Sequence, residues 1–267
     1  MSKTISAAAN PALANKMISD VVDEKPQQKE VKIVPPSNNI VTLPGGFITD
    51  TGEILDEAEV RELTGTDEEA IAKAPNVGRA LLTIIQRGTV RIGNERADEK
   101  MLDSLLSADR DVLLLAIFKA TFGNKAVVPT FIDGQMKEVE VDLDEDIKIK
   151  TLDDKINDRI FTIKGKKDVF TVQLPTGKTH REMIKNAEKS AAELTTIMLE
   201  GTVLEINGAP VLSKSQVQNL GIQDRKVIID EINKRLPGPQ FDDVFVTDPD
   251  TGKEVKVPVN FGTLFRF

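Results

Sequence analysis

The sequence predicts an α+β protein of two tandem duplicated lobes, each running strand, helix, strand, helix and β-hairpin, behind an extended N-terminal arm. Three observations predict it. Leu81, Thr83, Ile84, Gly88, Thr89 and Val90 recur as Leu194, Thr196, Ile197, Gly201, Thr202 and Val203, at a constant offset of 113. Leu105, Asp109, Arg110, Val112, Ile117 and Lys119 recur as Leu220, Asp224, Arg225, Val227, Ile232 and Lys234, at 115. Lys137-Glu138-Val139-Glu140-Val141 returns as Lys253-Glu254-Val255-Lys256-Val257, at 116. Matched order at nearly constant spacing is the signature of an internal repeat. The arm is assigned to residues 1–39, the first lobe to 40–150 and the second to 151–267.

The arm holds too few apolar residues to build a core. Asn10 suits a helix cap and Pro11 a first helical position, and Leu13, Met17 and Val21 then share one face. That face is expected to meet a partner. A brief strand over 31–34 ends at Pro35-Pro36.

The first lobe opens with a strand over 40–43 that Pro44-Gly45-Gly46 stops, and the second with a strand over 169–174 that Pro175-Thr176-Gly177 stops. Residues 47–73 read as an insertion confined to the first lobe, with a turn at Asp50-Thr51-Gly52 and an acidic helix over 55–63. Helices over 75–87 and 179–200 follow, each ended by a glycine, Gly88 or Gly201, expected to take positive φ. Short strands over 89–92 and 202–206 lead to a second helix in each lobe. The first of these carries Val112, Leu113, Leu114, Leu115, Ile117 and Phe118, apolar nearly all round; the second spaces Val227, Ile228, Ile229 and Ile232 with charges. The first is therefore the more deeply buried. Hairpins over 126–132 with 138–143 and 243–247 with 254–259 close the lobes, turning at Asp133-Gly134 and Pro249-Asp250-Thr251-Gly252.

Composition narrows function. The 267 residues include no Cys, Trp or Tyr, only 11 Phe and one His, and carry a net charge of −8. An acidic chain lacks the phosphate-neutralising surface on which nucleic-acid affinity rests, and stacking platforms would need more aromatic residues. Disulfides and thiolate sites are excluded, and a structural zinc needs about four Cys or His ligands. No run approaches the roughly 18 apolar residues of a membrane span, and the first residues do not resemble a signal peptide. The expectations are no cofactor, no metal, no nucleic acid, no membrane and no small-molecule substrate, for a chain made in a cytoplasm.

The sharpest repeated polar pairs are Asp109-Arg110 and Asp224-Arg225, each in the first turn of an apolar helix. Aspartate there complements the helix dipole and accepts free N–H groups, while arginine clamps a carboxylate or carbonyls. Both pairs are assigned a structural role. Leu174-Pro175-Thr176-Gly177-Lys178-Thr179 follows a strand and opens a helix as a phosphate-cradling loop does, yet Val172 stands where that pattern needs its first glycine. Nucleotide binding through Gly177, Lys178 and Thr179 is the minor alternative, and His180 beside them is expected at the surface. Asp142, Asp144, Glu145 and Asp146 lack calcium-loop spacing and read as a solvated strand end. Leu264, Phe265 and Phe267 crowd the C-terminus and either cover the lobe's own core or fill a partner's groove; they are assigned to partner binding.

The strand ending Leu174-Pro175-Thr176-Gly177, the helix ending before Gly201-Thr202-Val203, the helix opening Asp224-Arg225, then Pro237-Gly238-Pro239, a hairpin and a Leu-Phe-rich end follow one another in order. This order resembles the baseplate hub subunits and hub assembly proteins of T-even-type contractile-tailed phages. The resemblance covers residues 168–267, and 75–146 more loosely. It implies a non-enzymatic virion protein of the tail baseplate, whose partners are other tail or baseplate proteins. An assembly chaperone that leaves before the virion matures is the alternative within the same setting. Many relatives carry a Cys-Pro-x-Cys-Gly zinc knuckle in the hairpin turn; here Asp248-Pro249-Asp250-Thr251-Gly252 keeps the Pro and Gly and loses both Cys.

Overall fold

The computed structural model describes residues 39–132, 134–247 and 252–266. Leu13, Met17, Val21, Phe267 and the turn residues Asp133 and 248–251 lie outside the described residues. The fold is mixed α+β, with nine α-helices and several small antiparallel sheets among the described residues.

The chain enters through β1 (Ile40–Ile48) and β2 (Ile54–Val60), which pair antiparallel across a register shift between Thr42 and Phe47. The expected acidic helix over 55–63 is thus a strand. Ala58 and Val60 alternate into the core and the backbone pairs on both sides, so cross-strand burial overrides the weak helical signal of the carboxylates. Thr64 caps α1 (Gly65–Ala72), sharing a capping box with Asp67, and Asn76 caps α2 (Val77–Gly88) by accepting from the Arg79 N–H. β3 (Thr89–Ile92) and β4 (Glu95–Arg96) complete a sheet of order β1-β2-β3-β4. A short α3 (Glu99–Ser104) leads into α4 (Ser107–Phe122), whose near-continuous burial matches its apolar sequence.

After the hairpin β5 (Lys125–Ile132) and β6 (Gln135–Asp142) and the short β7 (Ile149–Lys150), a second sheet begins. It contains β8 (Ile160–Lys164), β9 (Val169–Gln173), β10 (Val203–Ile206) and β11 (Ala209–Pro210), in the order β8-β9-β10-β11. Its crossover is two helices, α5 (Gly177–Lys185) and α6 (Ala191–Thr202), where one long helix was expected. Ser190 breaks it: its hydroxyl accepts from the Glu193 N–H while the Glu193 carboxylate accepts from the Ser190 N–H, a fresh N-terminus inside the apolar pattern. α7 (Lys214–Gln218) and α8 (Ile222–Arg235) follow. β12 (Gly238–Pro239) pairs back onto β7, and β13 (Phe245–Thr247), β14 (Glu254–Lys256) and α9 (Phe261–Phe265) end the described fold.

The two four-stranded sheets share pairing details. Ala58 faces Ile92 and Glu59 faces Arg91, where Phe170 faces Ile206 and Thr171 faces Glu205; in both, the register slips at the next pair. Residues 47–73, expected as an insertion, hold β2 and α1, which stand in the same order as β9 and α5. Thr64-Gly65 opens α1 after β2, as Thr176-Gly177 opens α5 after β9.

Among the described residues the core divides into four clusters, the smallest of them Leu106, Leu152 and Leu174. One packs Leu43, Ile84, Ile92, Leu105, Leu113 and Ile117 under the first sheet, another Phe170, Val172, Leu199 and Ile228 under the second. The third joins both hairpins, with Val128 and Val141 from one and Val257 and Val259 beside the other, against Phe118 and Leu264. Each large side chain so buried contributes roughly 1.5–3 kcal/mol. Gly88 and Gly201 do not have the expected positive φ. A Cβ on Gly88 would stand 2.6 Å from Ile117 Cδ1 and one on Gly201 2.7 Å from Thr179 Oγ1, so close packing, not conformation, requires glycine there.

Candidate functional site

Asp109 and Asp224 occupy the same place, the third residue of α4 and of α8, and both are buried. Asp109 Oδ1 accepts from the Gly45 N–H at 2.7 Å and the Gly46 N–H at 3.3 Å, and its Oδ2 accepts from the Leu106 N–H at 3.3 Å. Asp224 Oδ1 accepts from the Lys166 N–H at 2.5 Å, beside Gly165 in the turn between β8 and β9. Pro44-Gly45-Gly46 do not stop the first strand as expected: β1 runs through them at its register shift, and Asp109 pins that irregular stretch where Asp224 pins the turn after β8. Both sites must be glycine: a Cβ on Gly45 would meet Asp109 Oδ2 at 2.7 Å, and one on Gly165 would meet Asp224 Oδ1 at 2.5 Å.

The carbonyls of this stretch of β1 are held as well. Arg159 Nη2 donates to the Gly45 oxygen at 2.9 Å and the Gly46 oxygen at 2.6 Å, and Lys155 Nζ donates to the Leu43 oxygen at 3.1 Å. Burial pushes the Asp109 carboxyl up to about 6, against the pull of the Gly45 and Gly46 N–H groups and the Arg159 charge. Desolvation wins because Asp109 is fully enclosed.

The arginines clamp carbonyls, though not those of the hairpins that follow. Arg225 Nη1 donates to the Val217 oxygen at 3.3 Å, and its Nη2 to the Ala192 oxygen at 3.2 Å and Thr196 Oγ1 at 2.9 Å, tying α8 to α7 and α6. Arg110 Nη1 reaches the Gly177 oxygen at 2.8 Å. Around it the Gly177 N–H donates to the Leu105 oxygen at 2.8 Å and the Ser107 N–H to the Pro175 oxygen at 2.9 Å. The start of α4 is thus stitched to the start of α5, and an amide that a phosphate loop would offer is already spent.

Arg110 is 3% exposed, and among the described residues it has no carboxylate within 4.0 Å and its Nε makes no hydrogen bond. It lines a cavity of about 310 Å³ between α2, α4, α5 and α6. Leu81, Leu82, Ile85, Leu114, Met183, Ile184, Leu194 and Phe261 form apolar walls, and Asp111 and His180 are its other ionisable lining groups. Burial raises Asp111 to about 7, opposed by the Arg110 charge; burial and that same charge lower His180 to about 4. His180 is therefore not the surface residue expected: it is half-buried, facing this cavity.

Sequence reasoning missed Asp111, Arg159 and a further pinning residue, Asp67. Asp67, 1% exposed, pairs with Arg61 at 2.7 Å and Arg87 at 3.2 Å and accepts from the Thr64 N–H, which together hold its carboxyl far below the usual range. The Thr64-x-x-Asp67 capping pattern was the available signal. In the acidic run, Asp142 Oδ1 accepts from the Asp144 N–H at 3.0 Å and Asp146 Oδ2 from the Asp142 N–H at 2.8 Å, so these carboxylates cap a turn. Leu264, assigned to a partner, is instead 5% exposed in the chain's own core, because α9 folds back beneath the first hairpin. Phe265 is half-buried, with its ring 5.4 Å from Phe118 and 6.5 Å from Phe122.

Comparison with protein families, with curated proteins and with solved structures finds no match. Among the described residues no helix is long and apolar enough to cross a membrane.

Proposed function

We propose that this chain is a non-enzymatic structural or assembly subunit of a contractile phage tail baseplate, built from two copies of one lobe, whose halves dock on different neighbours. One observation carries the duplication. β1, β2, α1, α2, β3, β4, α3 and α4 are followed later by β8, β9, α5, α6, β10, β11, α7 and α8 in the same order, and in each run the third residue of the last helix accepts from backbone N–H groups at a glycine, within β1 in the first and just after β8 in the second. Offsets drifting from 113 to 116 support the same reading.

The bridging role is supported by what each half leaves uncovered. Phe131 and Met136 face each other across the first hairpin and are 69% and 67% exposed. The other half shows Leu212 at 85% and Ile222 at 86% instead. Large apolar side chains uncovered in unlike places suit non-equivalent protein neighbours. The order of motifs shared with baseplate hub proteins supplies the setting, a virion tail assembled in a host cytoplasm. Cross-linking mass spectrometry on assembled tails tests it: residues 39–150 and 151–266 should link to different tail proteins. Links confined to one half, with Phe131→Asp entering tails at the wild-type level, would refute bridging.

A further inference from the structure

We propose that the cavity floored by Arg110 is a binding site for a small apolar monocarboxylate, a short-chain alkyl or aryl acid, a role separate from docking on tail proteins.

The walls select an apolar body. Leu81, Leu82 and Ile85 of α2, Leu114 of α4, Met183 and Ile184 of α5 and Leu194 of α6 surround a space of about 310 Å³, near the lower end of the usual range for small-molecule pockets. The floor selects an anion. Arg110 is buried with a single hydrogen bond, to the Gly177 oxygen, an orphaned Nε and no ion pair. A buried guanidinium so poorly compensated is costly, and a carboxylate is the group whose geometry matches it. Asp103, paired with Arg181 at 2.6 Å, and Asp111 offset part of that charge through space, but among the described residues neither makes an ion pair with Arg110.

The other two ionisable groups of the cavity fit the same ligand. His180, held neutral by burial and the Arg110 charge, adds no second charge and offers a ring N–H, and burial favours the protonated form of Asp111, an O–H donor. Binding an acid here costs no covalent step and leaves the fold intact.

Octanoate is the probe, with 1-octanol as the same tail lacking the charge. Isothermal titration of the full chain should give one saturable octanoate site, with 1-octanol at least tenfold weaker. Arg110→Gln should bring octanoate down to the level of octanol. Should that variant fail to fold, Ala187→Trp, a substitution at an exposed residue of the cavity wall, should weaken both ligands at least tenfold by filling the entrance. Equal binding of octanoate and octanol, no saturable octanoate binding up to millimolar concentration, or unchanged binding in Ala187→Trp would each overturn the assignment.

Discussion

Removing the Asp109 carboxylate should cost far more than removing that of Asp224, although the two residues hold the same place in their helices. Asp109→Ala strands three N–H groups, those of Gly45, Gly46 and Leu106, whose bonds to the carboxylate are all buried. Each buried unsatisfied donor costs about 1–3 kcal/mol. The two contacts at 3.3 Å belong at the bottom of that range, so the loss should be about 3–5 kcal/mol. Asp224→Ala strands the Lys166 N–H and should cost about 1–3 kcal/mol. Asp109→Asn keeps an acceptor for the two glycines and no longer buries a charge, so it should lose less than half of what Asp109→Ala loses. Urea denaturation followed by circular dichroism measures all three, with an unchanged slope showing that the transitions are comparable. Equal losses for the two alanine variants, or a loss under about 1 kcal/mol for Asp109→Ala, would show that this stretch of β1 is not held by this carboxylate.

Gly88→Ala gains helix propensity of about 1 kcal/mol, but its Cβ must displace the fully buried Ile117. Overpacking at roughly 1–3 kcal/mol should therefore give a lower melting temperature, partly restored by adding Ile117→Val. Leu264→Ala should cost about 2–5 kcal/mol in urea unfolding, because that side chain belongs to the shared hairpin core; a neutral result would return it to the surface. The two cavity ionisable groups should bend stability in opposite directions with pH. The His180 folded value, about 4, lies below the unfolded one, so its contribution is present above pH 6.5 and lost as pH falls towards 4; His180→Gln should remove that loss. The Asp111 folded value, about 7, lies above the unfolded one, so its contribution is present at low pH and lost as pH rises from about 4 to 7; Asp111→Asn should remove that loss. Urea midpoints at pH 4.5, 6 and 7.5, compared with wild type, separate the two, and parallel pH profiles for all three proteins would contradict both assignments.

Much of the fold was legible where pattern and burial agree. Val112 to Phe118 read as a buried helix and are one, and residues 126–132 read as a strand and pair throughout. The errors fall where a short polar signal sits inside a longer pattern. Ser190 and Glu193 restart a helix within an apolar run, and Asp56, Glu57 and Glu59 hide a strand whose inward residues are only Ala58 and Val60. Treating 55–63 as a helix also hid that β2 and α1 stand in the same order as β9 and α5. The Asp-Arg pairs were visible as a repeat, but their partners were not. Gly45 lies 64 residues from Asp109, and Arg159 joins them from a connecting segment that no local pattern marks. Nor could spacing reveal the cavity, because Asp111 and His180 meet only once α4 and α5 are packed.

The proposed bridging role requires the chain to be a resident part of a tail. Quantitative mass spectrometry of gradient-purified tails decides it most directly. A fixed number of copies per tail, co-purifying with the baseplate after the tube and sheath are stripped, is the predicted result. Complete absence from tails that assemble normally around it would contradict residence.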